Sequence, residues 1–348
     1  MTDAGPLVRT VLGPVAPGAL GITSSHEHLW MDSTPLLAVH GYPPAPEKAP
    51  TWDVAVAAEA RWNPGVHPDN YRLTDAAAAV EELARFTAAG GRTIVELTPP
   101  TLGRDVRRVA EIAALAGIHV IQGTGQYLAP VHAPWVAAAT SDDELVERLL
   151  TEIRDGIDET GIRPGILGEI GTSDPVAPEE RRVLRAVAAA ASTSGLTISV
   201  HLHPWGHEGP AVLDDLILAG ADPARVILGH MTTAIDRPDD LRRLADRGAT
   251  LGFDLFGFDH SLLGPGRWPP SDHDVVRVIA DLARHGYADR IVLGQDIGVR
   301  TRLRRWGGWG YGHLLEHVVP LLRDAGVDDA AIDRMLVANP AGLLAVAA

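Results

Sequence analysis

Six side chains of types that bind metal ions stand at or near the ends of short apolar runs in the sequence. Two of them are histidines one residue apart, within Ser24-Ser25-His26-Glu27-His28. Alternate side chains of an extended strand share a face, so these two imidazoles would project the same way and make half of a metal site. Later runs would have to supply the remaining donors. The full set is His26, His28, Glu169, His201, His230 and Asp296.

Nitrogen and carboxylate donors without sulfur suit two divalent cations, with one carboxylate bridging them. Two such ions can share a water, lower its pKa to near neutrality and hold the resulting hydroxide against a carbonyl or phosphoryl group. Asp296 would be both a ligand and the catalytic base that accepts the proton and passes it to the leaving group. Zinc is the first choice of metal, but the ligand types leave manganese, iron and cobalt open. The chemistry indicated is hydrolysis.

Each of these residues has a plainer explanation when it is taken alone. A single histidine at a strand end is more often a hydrogen-bonded rim residue than a ligand, and Glu169 could simply pair with an arginine. Independent rim residues would not be expected to fall at the same relative place in several strands, and this recurrence favours a metal centre. Of the two neighbouring carboxylates, Glu27 would face away and bond to the helix layer, and Glu96 would be structural or would support the ligands.

Short β-rich runs alternate with amphipathic helical stretches, which predicts a parallel sheet with helices packed against it. Eight such pairs predict a (β/α)8 barrel, preceded by a hairpin at 8–16 and with a folded excursion at 31–72 after its first strand. The competitor, an open doubly wound sheet, would normally carry a glycine-rich phosphate loop after its first strand, where this chain has His-Glu-His. The predicted strands are 21–28, 93–97, 119–123, 165–169, 196–201, 226–229, 250–253 and 290–293.

A barrel explains how residues far apart in the chain could meet, because the carboxyl ends of its strands open onto one face. We expect a single domain over residues 1–348, since 46% of the residues are hydrophobic, 22% are charged and no break in composition divides the chain. The loops that follow the strands would determine specificity. The predicted substrate-binding residues are Tyr127, His203, Trp205, Trp268, Arg300 and Arg302.

Four arginines follow the last predicted strand closely, at positions 300, 302, 304 and 305. In a chain of net charge -15, one of them could hold a carboxylate, phosphate or sulfonate group of the substrate. The alternative is that they pair with neighbouring acidic residues or bind a second subunit. The predicted partner is a small-molecule substrate, with or without an anionic group.

Composition excludes several classes of function. The net charge of -15 disfavours nucleic acids and anionic membranes as partners, because phosphates would be repelled. A chain without cysteine forms neither disulfides nor thiolate metal sites. The N-terminus lacks a basic stretch followed by an apolar core, and no apolar run is long enough to span a bilayer, so a cytoplasmic location is expected.

These motifs resemble those of the phosphotriesterase-like branch of the amidohydrolase superfamily, over almost the whole chain. The resemblance lies in segments 10–14, 21–29, 91–96, 168–173, 229–230, 307–311 and 339–341. It implies that one ion is held by His26, His28 and Asp296. The second ion would be held by His201 and His230, with Glu169 bridging the two. Relatives are often dimers, so a homodimer is also expected.

Two departures from the family pattern matter. Many relatives bridge their ions with a carboxylated lysine, but the only lysine of this chain is Lys48, so it resembles the glutamate-bridged branch. Phosphotriesterases also tend to carry acidic residues after the histidine of strand six, where they help to move protons away. Here Met231-Thr232-Thr233 follow that histidine, which weighs against efficient phosphotriester hydrolysis.

The leading prediction is a metal-dependent hydrolase of carboxylic esters, lactones or amides, since the family it resembles includes lactonases and amide-cleaving members. Phosphotriester hydrolysis, as the main activity or a side activity, is the alternative within the same class because the same hydroxide attacks phosphorus. The alternative from another class is a barrel that keeps the metal ligands but binds a metabolite or partner without turnover.

Overall fold

The structure is a computed structural model and describes residues 5–42, 50–263 and 266–347, so that Lys48 lies outside the described residues. The described strands fall into one large sheet and two small hairpin-like pairs. In chain order they are β1 (Val8–Thr10), β2 (Gly13–Val15), β3 (Ile22–Glu27), β4 (Met31–Asp32), β5 (Arg72–Leu73), β6 (Gly91–Glu96), β7 (His119–Thr124), β8 (Ile166–Gly171), β9 (Ile198–His201), β10 (Val226–Leu228), β11 (Thr250–Phe253) and β12 (Ile291–Leu293).

The large sheet contains eight strands in the order β12-β11-β10-β9-β8-β7-β6-β3, and its paired neighbours are parallel. Its two ends meet just past β12, where the backbone N–H of Asp296 donates to the carbonyl of His26 at 2.9 Å. This order and closure confirm the (β/α)8 barrel, and the doubly wound alternative is wrong. All eight barrel strands overlap the predicted ranges.

The helices between the strands begin and end where short polar residues and glycines predict. The Asp105 side chain accepts hydrogen bonds from the N–H groups of Arg107 and Arg108, and Gly117, with φ 67°, ends the same helix in the left-handed conformation that glycine favours. The helices are α1 (Leu36–Val39), α2 (Val54–Trp62), α3 (Ala76–Ala88), α4 (Val106–Ala116), α5 (Pro134–Ala138), α6 (Asp142–Asp155), α7 (Pro178–Ser194), α8 (Gly209–Leu218), α9 (Pro238–Asp246), α10 (Asp272–Arg284), α11 (Val319–Asp324), α12 (Asp329–Asp333) and α13 (Asn339–Leu344).

The last two predicted helices, over 311–325 and 328–336, differ from expectation because wide π turns interrupt them. One turn spans Leu314–Val318 and leads into α11, and the other spans Arg334–Ala338 and leads into α13. In both places a proline, Pro320 or Pro340, lies in the first turn of the helix that follows. A proline lacks the backbone donor and its ring clashes with the preceding turn, so the regular hydrogen-bond ladder cannot continue through it.

The predicted N-terminal hairpin is confirmed and lies at the amino ends of barrel strands. Strands β1 and β2 pair antiparallel, and the N–H of Val11 donates to the carbonyl of Val120 near the start of β7. Val8 and Leu20 join an apolar cluster with residues of five barrel strands, Val95, Ile121, Ile166, Ile227 and Val292. The amino end of the barrel is therefore covered, and the carboxyl end is left for a functional site.

The described parts of the excursion, 31–42 and 50–72, are folded, as predicted, and pack beside the carboxyl end of β3; residues 43–49 lie outside the described residues. Strands β4 and β5 pair antiparallel, and α1 and α2 lie between them in the chain. Met31, Leu36 and Tyr71 turn their side chains toward the barrel mouth. Among the described residues, the structure contains no helix with the length and apolar character needed to cross a membrane.

Candidate active site

The barrel places all six predicted donors at the carboxyl ends of its strands. Glu169 lies within β8, His201 ends β9, and the others stand at the end of β3 or in the loops after β3, β10 and β12. Five of the side chains are buried, while the Asp296 carboxylate remains 20% exposed and reaches a cavity. His230 and Asp296 both have left-handed backbones, with φ of 60° and 52°. Such strain in non-glycine residues is typical of functional sites.

The donor atoms form two clusters. In the first, Asp296 Oδ1 lies 3.1 Å from His28 Nε2 and 3.7 Å from His26 Nε2. In the second, His201 Nδ1 lies 2.7 Å from His230 Nε2. The clusters are adjacent, which is the spatial arrangement that a pair of metal ions requires.

Glu169 faces both clusters at once. Its Oε1 lies 3.6 Å from His28 Nε2, and its Oε2 lies 3.6 Å from His26 Nε2 and 3.1 Å from His201 Nδ1. A carboxylate placed between two groups of imidazole nitrogens can reach both groups at once, as a bridging ligand needs. The structure therefore brings the six predicted residues together into one buried group.

Asp254, which the sequence analysis did not name, orients two of the histidines. Its carboxylate lies 3.0 Å from both His26 Nδ1 and His230 Nδ1, and it accepts the backbone N–H of His230 at 2.9 Å. These bonds leave the Nε2 lone pairs of both rings facing the clusters, as carboxylate partners do in metal sites. Asp254 directly follows β11, so the rule of inspecting strand ends would have found it.

The donor set fits metal ions. His26 Nε2 is buried and has no hydrogen-bond partner among the residues that the structure describes, although its Nδ1 is bonded to Asp254. His28 is arranged similarly, because its Nδ1 bonds to Thr98 Oγ1 at 2.9 Å and its Nε2 faces the carboxylates. An unpaired buried lone pair is costly, and a cation satisfies it.

The electrostatics of the site show how strongly it attracts positive charge. Burial alone lowers the pKa of His26, but the carboxylates of Asp296, Asp254 and Glu169 outweigh it and raise that pKa to about 10. Burial conversely raises the pKa of Asp296, yet His26 and His28 outweigh it and lower that pKa to about 2. The carboxylates thus retain the proton of His26, and a binding cation must displace it.

Glu27 was predicted to bond to the helix layer, and that prediction is wrong. Its carboxylate does not bond to the helix layer: it accepts the N–H groups of Gln295 at 3.0 Å and Ile297 at 3.1 Å, and the hydroxyl of Ser24 at 2.6 Å. It therefore ties β3 to the loop that carries Asp296. Glu96 supports the site, as one of its predicted roles proposes, because it accepts the N–H groups of Leu29 and Thr98 beside His28.

A cavity of about 700 Å³, measured with its open mouth, lies directly over the clusters. This size suits a small molecule. Of the predicted substrate-binding residues, Tyr127 lines it, and its hydroxyl lies 3.1 Å from His201 Nε2. The polar residues of the wall that were not predicted include His40, Tyr71 and His260, and the first two come from the excursion.

Two other predicted residues lie beside the cavity and not in its wall. His203 lines a neighbouring cavity, which shares Pro204 and His230 with the first, and its Nδ1 accepts the N–H of Trp205 at 3.3 Å. The indole N–H of Trp205 donates to the carbonyl of Leu262 at 3.4 Å. Trp205 therefore supports the loop after β11, which itself lines the cavity.

Trp268 and Arg300 are not brought to the cavity. Trp268 is 45% exposed and contacts Trp62 on an outer groove. Arg300 pairs with Asp69 at 3.5 Å and lies over the ring of Trp52, which matches the alternative that these arginines pair with neighbouring acidic residues. Arg302 turns inward instead: it is buried behind Phe258 and donates to the carbonyl of Phe256 at 2.6 Å.

We predict that Asp254→Asn lowers metal affinity about 10- to 100-fold, the usual cost of losing a partner that orients metal-binding histidines. The amide has a single acceptor oxygen and cannot serve both His26 and His230. Competition with a chelator measures the affinity. Asp259→Asn is the matched control, since Asp259 lies in the same loop and, within the described part of the chain, forms its ion pair with Arg61 across 3.6 Å. Equal affinities for both variants would contradict the assigned role.

Comparisons with known proteins agree with this geometry. A sequence model described as "Phosphotriesterase family" matches residues 6–344. N-acetyltaurine hydrolase of Rattus norvegicus is 35% identical over 348 residues, which cover 98% of each chain. A resiniferatoxin-binding protein from Rhodobacter sphaeroides is 37% identical, with a TM-score of 0.91 over 97% of this chain and 94% of that one. A phosphotriesterase homology protein from Escherichia coli, solved with phosphate in its active site, is 29% identical, with a TM-score of 0.78 over 94% of this chain and 99% of that one.

Proposed function

This chain belongs to the phosphotriesterase family and is a metal-dependent hydrolase, and from that premise we propose that it cleaves a carboxylic amide, ester or lactone at two divalent ions. The observation that carries the proposal is the position of Glu169 between the two donor clusters, within 3.6 Å of nitrogens in both. We assign one ion to His26, His28 and Asp296. The second ion is assigned to His201 and His230, with Glu169 shared.

When bound, the two ions supply Lewis acidity and lower the pKa of a water to near neutrality, and zinc is the first candidate for this oxygen and nitrogen donor set. The chain's own groups do the rest. Asp296 is assigned as the catalytic base, because its carboxylate lies beside His26 and His28 and its exposed portion faces the cavity. It takes the proton of the attacking water and returns it to the departing amine or alcohol.

The walls of the cavity restrict water and orient the substrate. Leu36, Leu255 and Phe258 provide apolar surface, so charges at the base of the cavity act through a poorly screening medium. The hydroxyl of Tyr127 stands beside His201, where it can donate to a substrate oxygen.

An amide is the first substrate class to test, because N-acetyltaurine hydrolases, named for the cleavage of an amide, match 98% of the chain. Phosphotriester hydrolysis is supported less well. The turn Met231–Ala234 contains no acidic residue that could carry protons away. Its Thr233 hydroxyl is already bonded to the carbonyls of Pro204 and His230. A non-catalytic barrel stays a proposal of another class, since one similar protein is named for binding resiniferatoxin.

The test is a panel of N-acyl amides, lactones and an organophosphate, assayed with protein reconstituted with zinc and analysed for metal content. We expect turnover of at least one carboxylic substrate and about two metal equivalents per chain. Efficient turnover of the organophosphate alone would contradict the proposed hydrolysis of carboxylic substrates and support the phosphotriesterase alternative. Two equivalents of metal with no turnover across the panel would favour the binding barrel.

A further inference from the structure

Arg302 is a buried cation close to the active-site cavity without an ion-pair partner. Its side chain is 3% exposed, and among the described residues no carboxylate forms an ion pair with it. One amino group, Nη2, donates to the carbonyl of Phe256, but the other, Nη1, is buried and has no hydrogen-bond partner. Unpaired buried charges are rare because they forfeit hydration, so this one needs an explanation.

Two aromatic rings separate Arg302 from the cavity. The guanidinium carbon lies 4.3 Å from the ring centre of Phe258, and that ring is 4.1 Å from the ring of His260. Both rings line the cavity. Arg302, Phe258 and His260 therefore form a stack whose two rings face the cavity. Arg302 and His260 are both buried, so the charge of Arg302 is poorly screened on the cavity side.

His260 does not add a charge of its own. Its Nδ1 bonds to the carbonyl of Ser261 at 2.9 Å, which leaves Nε2 as an acceptor with no partner in the described part of the chain. Burial, and then the nearby Arg302, lower the pKa of His260 to about 3, so the ring is neutral near pH 7. The stack thus presents one positive charge, located on Arg302.

This charge is distinctive because, among the described residues, the cavity wall itself contains no cationic side chain of lysine or arginine. Among the described residues that line the cavity there is neither a lysine nor an arginine, whereas Glu169 and Asp296 both contribute carboxylates. The other nearby arginines point elsewhere, since Arg300 pairs with Asp69 and Arg305 lies over Trp306 and near Asp75. Apart from the two proposed metal ions at the base of the cavity, a substrate with an anionic group would find a fixed positive charge on the Phe258 side.

We propose that Arg302, acting through Phe258 and His260, is a specificity-determining residue that makes the cavity prefer amides with an anionic group on the leaving amine. The inference rests on the proposed amide hydrolysis. Arg302 acts by its field and touches no reacting atom. A purely structural role, in which Arg302 only offsets the buried charges of Glu27 and Asp296, would change all substrates alike.

The test compares two amides of the same shape. One is N-acetyltaurine, and the other carries a methyl sulfone in place of the sulfonate and is neutral. We expect wild-type protein to favour the anionic amide in kcat/KM, and Arg302→Gln to reduce that preference about tenfold. Arg305→Gln, which removes one charge from the same loop, is the matched control and should leave the preference unchanged. Because the charge is buried, the preference should also persist at about 0.5 M salt.

The outcomes separate the two proposals. If wild type cleaves neither amide nor any other carboxylic substrate, the proposed function fails. If it cleaves both, and Arg302→Gln slows them equally or changes neither, only the role of Arg302 is overturned. If Arg302→Gln does not fold, Arg302→Lys tests whether the positive charge at position 302 sets the preference for the anionic amide. A folded lysine variant that keeps the preference within about threefold supports the field argument, and one that loses it overturns the argument.

Discussion

Replacing Glu169 by alanine is expected to abolish metal binding and hydrolysis together. The carboxylate lies within 3.6 Å of His26 and His28 and 3.1 Å from His201, so its loss removes a ligand from both clusters at once. The affinity should fall by more than the roughly 100-fold that the loss of an outer partner costs, and activity should follow it down. Metal analysis after dialysis and kcat on the best amide measure both effects.

Glu180→Ala is the matched control for this variant. Glu180 is also a fully buried glutamate, but it accepts hydrogen bonds from Ser173 and Ala177 at the start of α7, outside the candidate active site. We expect a lower melting temperature with unchanged metal content, since the loss of a buried cap affects stability alone. A Glu169→Ala protein that folds and keeps two equivalents of metal would overturn the bridging assignment.

Asp296→Asn is expected to lower kcat by about 10²- to 10⁴-fold, the range for removing a positioned general base. The asparagine oxygen can still face His28, so we expect metal to be retained when it is supplied in excess. An amide does not accept a proton near neutral pH, and this is why the loss should appear in kcat. Single-turnover rates, measured at full metal occupancy, give the effect.

The Asp254→Asn variant distinguishes the catalytic role of Asp296 from a role in metal binding. Asp254 bonds to His26 and His230 from the side away from Asp296, so excess metal should restore much of the activity of that variant. Excess metal should restore little in Asp296→Asn. An Asp296→Asn enzyme that recovers wild-type kcat when saturated with metal would show that another group accepts the proton.

Much of the site could be predicted from sequence because its positions follow a local rule. Each barrel strand is a short apolar run, and the residues at its carboxyl end face the same opening in every strand. Reading the ends of these runs was enough to choose His26, His28, Glu169, His201 and His230. The same rule also reaches Asp254, which was not predicted although it directly follows the predicted strand 250–253.

The loop after β12 could not be predicted in the same way. Its arginines are close in sequence, but distant partners fix their directions: Asn70 accepts the N–H of Thr301, and Glu82 accepts the N–H groups of Arg304 and Arg305. These partners are more than 200 positions away in the chain. Nothing in the local spacing indicates that Arg300 lies outside the cavity while Arg302 is buried behind Phe258.

The sequence by itself therefore determined the alternation of strands and helices, the donors at the strand ends and the family, because periodicity and residue type are local properties of the chain. Only the tertiary structure decided that Glu27 braces the loop of Asp296, that Asp254 serves two histidines, and that the cavity wall lacks an exposed cation among its described residues. Those facts depend on which segments pack together after the barrel closes. Packing of that kind is set by contacts between residues far apart in the chain.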